Sequence, residues 1–144
     1  MRDDEHFENM KKMYVKREVN SRFRPRVFIA SGMAEVEIPV DPQHFHSGES
    51  VHGSVYFKIM DDSAFFAANS LEKTFFILTS TFNTYITHPV STGSLKSVAR
   101  VVSQAGSQFI VEAVCYNENK EVARGNGMFI RTKRLLSGVA DYAS

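Results

Sequence analysis

The pattern of apolar and polar positions divides the chain into strand-like and helix-like segments. Alternation with a period of two is clearest in residues 33–40, where Ala34, Val36 and Ile38 alternate with glutamates. This alternation predicts a β-strand with one buried and one exposed face. Segments rich in aromatic and β-branched residues predict five further strands. These are residues 27–30, 74–87, 94–103, 108–116 and 120–131.

Short polar or glycine-containing stretches separate several of these strands. Ser31-Gly32 lies between the first two, and the sequences QAGS and NENK lie between later ones. Connections this short favour antiparallel pairing of strands that follow one another in the chain. We therefore expect a single antiparallel sheet in which consecutive strands run antiparallel.

Two segments have the apolar spacing or the length of helices. Residues 3–17 place Phe7, Met10 and Tyr14 on one helical face, which predicts a short amphipathic helix. Residues 53–69 are too long and too apolar for a surface strand and form the best helix candidate. One hydrophobic helix can cover the apolar face of an antiparallel sheet. The order of elements therefore predicts an α+β fold of two layers with the long helix at its centre.

Composition narrows the class of protein without identifying a function. The chain has 144 residues, the size of one domain, and its formal net charge of +1 gives no reason to expect nucleic acid as a partner. No apolar run is long enough to span a membrane, and the polar N-terminus lacks the apolar core of a signal peptide. We expect a cytoplasmic protein with a flexible tail at residues 137–144.

The segment around the start of the long helix holds the candidate chemistry. His44, His46 and His52 precede the helix, and the adjacent Asp61 and Asp62 lie within it. The histidines have no carboxylate or cysteine at a spacing that would complete a metal site, so we predict no metal.

The two aspartates have different expected roles. Asp62 lies four residues after Lys58, the spacing of an exposed ion pair on a helix surface. Asp61 is either a solvated helix position or a reactive carboxylate in an apolar neighbourhood, where burial raises the pKa toward the range of a general base. Phe57 and Phe65 lie on its side of the predicted helix. Spacing alone leaves both alternatives open.

Four groups in and after this helix form a combined motif. His52-Gly53 opens the helix, Asp61 follows nine residues after the histidine, and Thr79 lies ten residues before Pro89. In this motif the chain resembles the hotdog-fold acyl-CoA thioesterases of the phenylacetate-degradation type. That family has an asparagine six residues before a His-Gly-Gly, an aspartate nine residues after the histidine, and a serine or threonine on the next strand.

The resemblance covers roughly residues 25–133 and includes three departures from the family pattern. His46 occupies the position of the family asparagine, and Ser54 occupies the position of the second glycine. The family glycine between these positions falls one place early, at Gly48.

The resemblance implies a fold, a reaction and a set of site residues. The expected fold is a single hotdog domain over residues 1–144, an antiparallel sheet wrapped around one long helix. The expected reaction is hydrolysis of an acyl-CoA to a carboxylic acid and free coenzyme A. Coenzyme A is part of the substrate, and no separate cofactor is expected. The implied catalytic residues are Asp61, Gly53, His52, His46 and Thr79.

Each of these residues has an implied role. Asp61 would act as general base or as nucleophile, which the sequence does not distinguish. Gly53 N–H lies at the positive end of the helix dipole and would stabilise the oxyanion, while His52 would position that turn. Thr79 would assist from the side of the aspartate.

Helix geometry then requires two chains for one site. Eight helical residues separate Gly53 from Asp61, which corresponds to about 12 Å at about 1.5 Å per residue. Both groups of one chain therefore cannot contact the same carbonyl. We expect a homodimer with antiparallel long helices, in which Gly53 of one chain faces Asp61 of the other, and a dimer of dimers as the larger assembly.

Two other functions are compatible with the fold. One is a non-catalytic protein that binds acyl-CoA or an acyl carrier, which the replacement of the family asparagine by His46 keeps open. The other is a hydratase or dehydratase, which is disfavoured because Asp61 lies too far along the helix from the histidine.

Overall fold

The computed structural model describes residues 1–143 as a six-stranded antiparallel sheet packed against a long helix. The strands are β1 (Arg26–Ala30), β2 (Met33–Pro39), β3 (Phe75–Ile86), β4 (Ser94–Ala105), β5 (Gln108–Asn117) and β6 (Lys120–Leu135). The helices are α1 (Asp3–Val15), α2 (Glu18–Ser21) and α3 (Gly53–Asn69). Single turns of 3-10 helix cover Pro42–His44 and Leu136–Gly138. This arrangement confirms the predicted α+β architecture.

Strand β2 shows how the alternation in the sequence becomes a two-faced sheet. Ala34, Val36 and Ile38 are buried, and the intervening residues are only partly buried. The turn from β1 to β2 is tight, and Gly32 adopts a φ of +74°, a conformation that suits a residue without a Cβ atom. The predicted strand is therefore confirmed together with its buried face.

The position of β3 in the sheet does not follow the order of the strands along the chain. The strand order is β1-β2-β4-β5-β6-β3, so β3 pairs with β6 and not with β4. Strand β4 already has β2 and β5 as neighbours, so the seven-residue segment between β3 and β4 (residues 87–93) is not a hairpin loop. The consecutive strands from β3 to β6 run antiparallel, as predicted.

Two glycines of β6 explain how β3 fits beside it. A Cβ atom added at Gly125 or Gly127 would approach the ring of Phe82 to 2.7 or 2.5 Å and would also meet the backbone of β3. The aromatic ring of Phe82 therefore lies over backbone that carries no side chains. It also makes an edge contact with Phe129, with ring centroids 6.3 Å apart.

Helix α3 spans the same residues, 53–69, that the apolar pattern predicts, and it fills the concave side of the sheet. Its polar residues Ser63 and Asn69 are buried and hydrogen-bonded. Ser63 Oγ lies 2.7 Å from Ser97 Oγ of β4, and Asn69 Oδ1 accepts from Ile77 N–H at 2.8 Å. These bonds fix the helix on the sheet and hold the chain reversal into β3. They also give the buried polar groups hydrogen-bond partners, without which their burial would cost folding free energy.

The N-terminal segment is helical, although it is interrupted. Helix α1 ends at Val15 and not at residue 17, and the short α2 follows it. Met10 and Tyr14 of the predicted apolar face are buried, and Phe7 is partly buried. The predicted amphipathic helix is therefore confirmed, with a shorter range.

The C-terminal segment, predicted to be a flexible tail, is anchored as far as the structure describes it. Tyr142 is 2% exposed, and its hydroxyl donates to Nδ1 of the buried His6 at 2.7 Å. The Nε2–H of His6 donates in turn to the carbonyl of Asn69 at 2.7 Å. The sequence could not show this contact because Tyr142 and His6 are 136 residues apart. The last predicted tail residue, Ser144, lies outside the described residues.

Candidate functional site

The start of α3 carries a helix cap made by His52. The ring Nδ1 of His52 accepts from Ser54 N–H at 3.1 Å and from the Ser54 hydroxyl at 2.8 Å. Because Nδ1 accepts, Nε2 carries the proton of the neutral ring and is left for other contacts. Gly53 is the first helical residue, and an N–H in the first turn of a helix has no partner within the helix. Helix α3 therefore starts with a side-chain cap from His52, and the Gly53 N–H is one of the backbone donors that has no acceptor within the helix.

A cavity of about 300 Å³ lies beside this helix start. Its lining includes Gly53, His46 and Ile86, the last from the end of β3. A Cβ atom at Gly53 would lie 3.3 Å from Ile86 Cδ1, so any side chain there would narrow the cavity. The remaining lining residues are Ser50, Val51, Tyr56, Thr87, His88 and Pro89.

His46 lines this cavity while both of its ring nitrogens bond to its own loop. Nδ1 accepts from Gly48 N–H at 2.9 Å, so Nε2 carries the proton and donates to Ser50 Oγ at 3.0 Å. This pattern fixes the neutral tautomer and orients the ring. Within the described chain, His46 therefore organises the loop before α3.

The middle of α3 presents Asp61 to a second cavity. Asp61 Oδ1 accepts from the Thr79 hydroxyl at 2.7 Å, so the structure brings together two of the predicted site residues from α3 and β3. Burial is the main cause of a raised pKa for Asp61, and the hydrogen bond from Thr79 partly opposes it. Asp61 is therefore a partly buried carboxylate in this cavity.

The second cavity has a volume of about 220 Å³ and a largely apolar wall. Phe65 of α3 and Phe76 and Leu78 of β3 contribute to this wall, and Asp61 and Thr79 contribute its polar part. The tilted rings of Phe65 and Phe76 have centroids 5.3 Å apart. The predicted apolar neighbourhood of Asp61 is present, with Phe65 in the position that the helix spacing gave it. Tyr14, Asn20, Asp62 and Ile77 complete the lining.

Asp62 is not the exposed ion-pair partner that its spacing suggested. Its side chain is 15% exposed, and that of Lys58 is 19% exposed. Lys58 Nζ lies 2.8 Å from Asp62 Oδ2, as predicted, and the same oxygen accepts from the Tyr14 hydroxyl at 2.5 Å. The sequence could not show this because Tyr14 comes from α1, 48 residues away.

The predicted site residues therefore fall into two groups along one helix. Gly53, His52 and His46 lie at the first turn, and Asp61 and Thr79 lie about 12 Å further along, as the rise of about 1.5 Å per residue requires. Within one chain the structure does not bring the two groups together. Each group has its own cavity.

Two further features bear on the class of protein. Among residues 1–143, no group of three or more His, Cys, Asp or Glu side chains is arranged to hold a metal ion. No helix in that part of the chain is long and apolar enough to cross a membrane.

Comparison with known proteins identifies the family. The model of the thioesterase superfamily matches residues 48–123, more than half of the chain. Among proteins with curated functions, none matches the sequence.

Several solved structures share the fold. The PaaI protein from the E. coli phenylacetic acid degradation operon is 20% identical, with a TM-score of 0.84 over 92% of this chain and 97% of that one. A thioesterase family protein from Silicibacter pomeroyi is 19% identical, with a TM-score of 0.81 over 88% and 97%. A conserved protein from Pseudomonas aeruginosa is 27% identical, with a TM-score of 0.71 over 75% and 86%. The antiparallel sheet wrapped around α3 is thus the hotdog fold, and the chain belongs to the thioesterase superfamily.

Proposed function

We propose that the protein is an acyl-CoA thioesterase that converts an acyl-CoA and water to a carboxylic acid and free coenzyme A. The observation that carries this proposal is the Asp61 carboxylate, held by Thr79 in an apolar cavity of a thioesterase-superfamily fold. A carboxylate with a raised pKa is suited to accept a proton near neutral pH.

Asp61 is the proposed general base or nucleophile, and Thr79 is the hydrogen-bond donor that orients its carboxylate. The Thr79 hydroxyl occupies Oδ1 of Asp61, which leaves Oδ2 for a water molecule or for direct attack on the carbonyl carbon. In the general-base route, Asp61 takes one proton from water as oxygen bonds to the carbonyl carbon. The C–S bond then breaks, the thiolate of coenzyme A leaves with the electron pair, and the proton held by Asp61 passes to it, which regenerates the carboxylate.

Gly53 N–H is the proposed donor to the oxygen that becomes negative. An N–H at the first turn of α3 has the positive end of the helix dipole behind it. The cap made by His52 keeps this turn in one conformation, and His46 does the same for the preceding loop. We assign these two histidines to positioning the donor.

The active form is proposed to be a homodimer, with a dimer of dimers as the larger assembly. Strand β3 is an edge strand of twelve residues whose outer face exposes Leu78 (53%) and Tyr85 (64%). A long edge with exposed apolar residues is a surface that proteins normally cover. Pairing about a two-fold axis would cover it and would bring Gly53 of one chain to Asp61 of its partner.

A free-thiol release assay over short-chain, long-chain and aryl acyl-CoAs tests the activity. Asp61→Asn is expected to fold normally and to lower kcat/KM at least 100-fold, as the loss of a general base does. Asp4→Asn, which changes a carboxylate that is 73% exposed on α1, serves as the control and should leave turnover unchanged. Cys115 is buried with a pKa raised to about 12, so the protein's own thiol should not react with the reagent. Full turnover by Asp61→Asn would overturn the assignment.

A second candidate function is binding of acyl-CoA without hydrolysis. The engagement of both His46 nitrogens within their own loop favours it, because this side chain then has no free nitrogen to orient a water molecule. A binder would show a higher Tm with an acyl-CoA and no release of free thiol from any member of the panel.

A further inference from the structure

The N-terminal arm, defined as α1 and α2, forms part of the wall of the Asp61 cavity. Tyr14 of α1 and Asn20, which lies in α2, line this cavity together with Asp61. The arm lies outside residues 48–123, the range that the family model matches. The match to the family model therefore assigns no role to the contact between the arm and the cavity.

Four polar side chains join the arm to α3 in a closed set of hydrogen bonds. Asp62 Oδ2 accepts from the Tyr14 hydroxyl at 2.5 Å and from Lys58 Nζ at 2.8 Å. Lys58 Nζ also donates to Asn20 Oδ1 at 2.7 Å, and Asn20 Nδ2 donates to the Tyr14 carbonyl at 2.8 Å. We call these residues, Tyr14, Asn20, Lys58 and Asp62, the arm cluster.

Aromatic packing holds the arm cluster in one geometry. The ring of Tyr14 makes an edge contact with Phe66 of α3, with ring centroids 4.9 Å apart. The ammonium group of Lys58 lies over the rings of Tyr14 and Phe23, at 5.7 and 5.6 Å from their centroids. Charged side chains confined in this way lose less of their electrostatic effect to solvent than exposed ones do.

We propose that the arm cluster is a positioning cluster for Asp61: Asp61, Asp62 and Tyr14 line one cavity, where Asp62 and its partner Lys58 supply opposed charges beside Asp61 and Tyr14 holds them in place. The inference rests on the proposed function, because it assigns Asp61 the role of the group that must ionise. On this proposal, the N-terminal arm helps to position the groups of the active site.

The groups that face Asp61 can be named from each packed element. Strand β3 contributes Thr79, which is neutral, and α3 contributes the charges of Asp62 and Lys58. The arm contributes Tyr14, whose pKa is raised by burial and by Asp62, so that the phenol is neutral at working pH. Asp62 disfavours ionisation of Asp61 and Lys58 favours it. The arm cluster therefore has two charges of opposite sign, and each can be removed separately by substitution.

An arm cluster that merely anchors α1 would behave differently from one that tunes Asp61. Loss of an anchor weakens folding and turnover at every pH, whichever charge is removed. Loss of a tuning charge moves the pH dependence of turnover, in a direction set by the sign of that charge. The direction of the shift therefore separates the two roles.

The test measures kcat/KM against pH for Asp62→Asn, Lys58→Met and the double variant. The acid limb of this profile is the rise in kcat/KM that accompanies ionisation of Asp61. Asp62→Asn removes a negative charge and is expected to move the acid limb to lower pH, whereas Lys58→Met removes a positive charge and is expected to move it to higher pH. At a pH on this limb their kcat/KM values should differ by roughly three- to tenfold, since one pH unit corresponds to a tenfold change. The double variant removes both charges and should return the limb toward the wild-type position. Additive losses with no movement of the limb would overturn the proposal.

A matched control uses an ion pair on α1 that lies away from the cavity. Glu8 and Lys11 form such a pair at 2.6 Å, and Glu8→Gln changes the net charge by the same amount as Asp62→Asn. This variant should leave the acid limb in place. Tyr14→Phe keeps the aromatic packing and removes the hydroxyl, so it should shift the limb in the direction of Lys58→Met but less far.

A second measurement separates this inference from the proposed function. The carboxyl titration of Asp61 in the folded protein, followed by carbon NMR, requires no turnover. If Asp61→Asn keeps full activity while the titration still shifts in opposite directions in the two charge variants, the catalytic role fails and the tuning stands. If Asp61→Asn is inactive and the titration does not respond, the tuning alone fails.

Discussion

At the scale of single residues, Asp61 is placed where its charge costs folding free energy. Burial raises its pKa above the value of about 3.9 expected for an unfolded chain. Between these two values the folded protein binds more protons than the unfolded one, so stability falls as pH rises through that interval. Above the folded pKa the penalty is fully present. Carboxylates kept in such positions are typical of reactive sites.

Replacing Asp61 by asparagine should therefore stabilise the protein at neutral pH. The amide oxygen can still accept from the Thr79 hydroxyl, and the variant no longer buries a charge. We expect a higher Tm than wild type at pH 7.5 and a gain that shrinks as the pH approaches 4. Thermal unfolding of both proteins across this range measures the difference. A variant that is less stable at pH 7.5, or a gain that does not depend on pH, would contradict the argument.

Residue-scale prediction from sequence succeeded where the family resemblance applied. The resemblance implied that Thr79 assists Asp61, and the Thr79 hydroxyl donates to Asp61 Oδ1 at 2.7 Å. The hydrogen bond from Tyr14 to Asp62 and the one from Tyr142 to His6 join distant parts of the chain. No local pattern encodes such contacts, because they depend on how α1 and the C-terminal segment pack.

At the scale of elements, the sequence predicted α3 from its long apolar run, β2 from its alternation and the other five strands from their aromatic and β-branched residues, since these signals reflect local backbone geometry. Boundaries were less certain: β6 continues to Leu135, beyond the predicted end at residue 131, because its last residues are polar. The neighbour of β3 was not predicted from the sequence. The determinant of that pairing is the stretch Gly-Asn-Gly at 125–127 of β6, which accommodates Phe82, and such a stretch reads as a loop signal in isolation.

The pairing of β3 with β6 should therefore be sensitive to a methyl group at Gly127. An added Cβ atom would meet both the Phe82 ring and the Thr81 carbonyl, and the backbone contact cannot be relieved by a side-chain rotation. We expect Gly127→Ala to lower the free energy of unfolding by about 1–3 kcal/mol, the usual cost of overpacking. Urea unfolding measures it.

The control for this prediction is Gly138→Ala in the C-terminal turn. An added Cβ atom at Gly138 meets nothing within 4 Å, so this variant should change stability by less than about 0.5 kcal/mol. Equal effects of the two substitutions would show that the glycine stretch is not what fits β3 to β6.

At the scale of the whole molecule, the chain has two groups of predicted site residues on one helix and an edge strand with exposed apolar residues. Gly53 and Asp61 serve different cavities, and Leu78 and Tyr85 lie exposed on β3. The proposed two-fold dimer would account for both features with one interface. It would also explain why helix length, rather than any single residue, sets the separation of the catalytic groups: the donor and the acid must reach across to the other chain.

Subunit complementation tests this shared site. Asp61→Asn lacks the acid, and Gly53→Leu places a side chain in the cavity of about 300 Å³ at the helix start, so each homodimer should be inactive. Equal co-expression gives half heterodimers, each with one intact site of two, so about a quarter of wild-type kcat is expected. Two purification tags isolate the heterodimer, whose kcat should be about half of wild type per dimer. Circular dichroism checks that both variants fold. If each site lies within one chain, every mixture stays inactive, because no subunit then carries both groups.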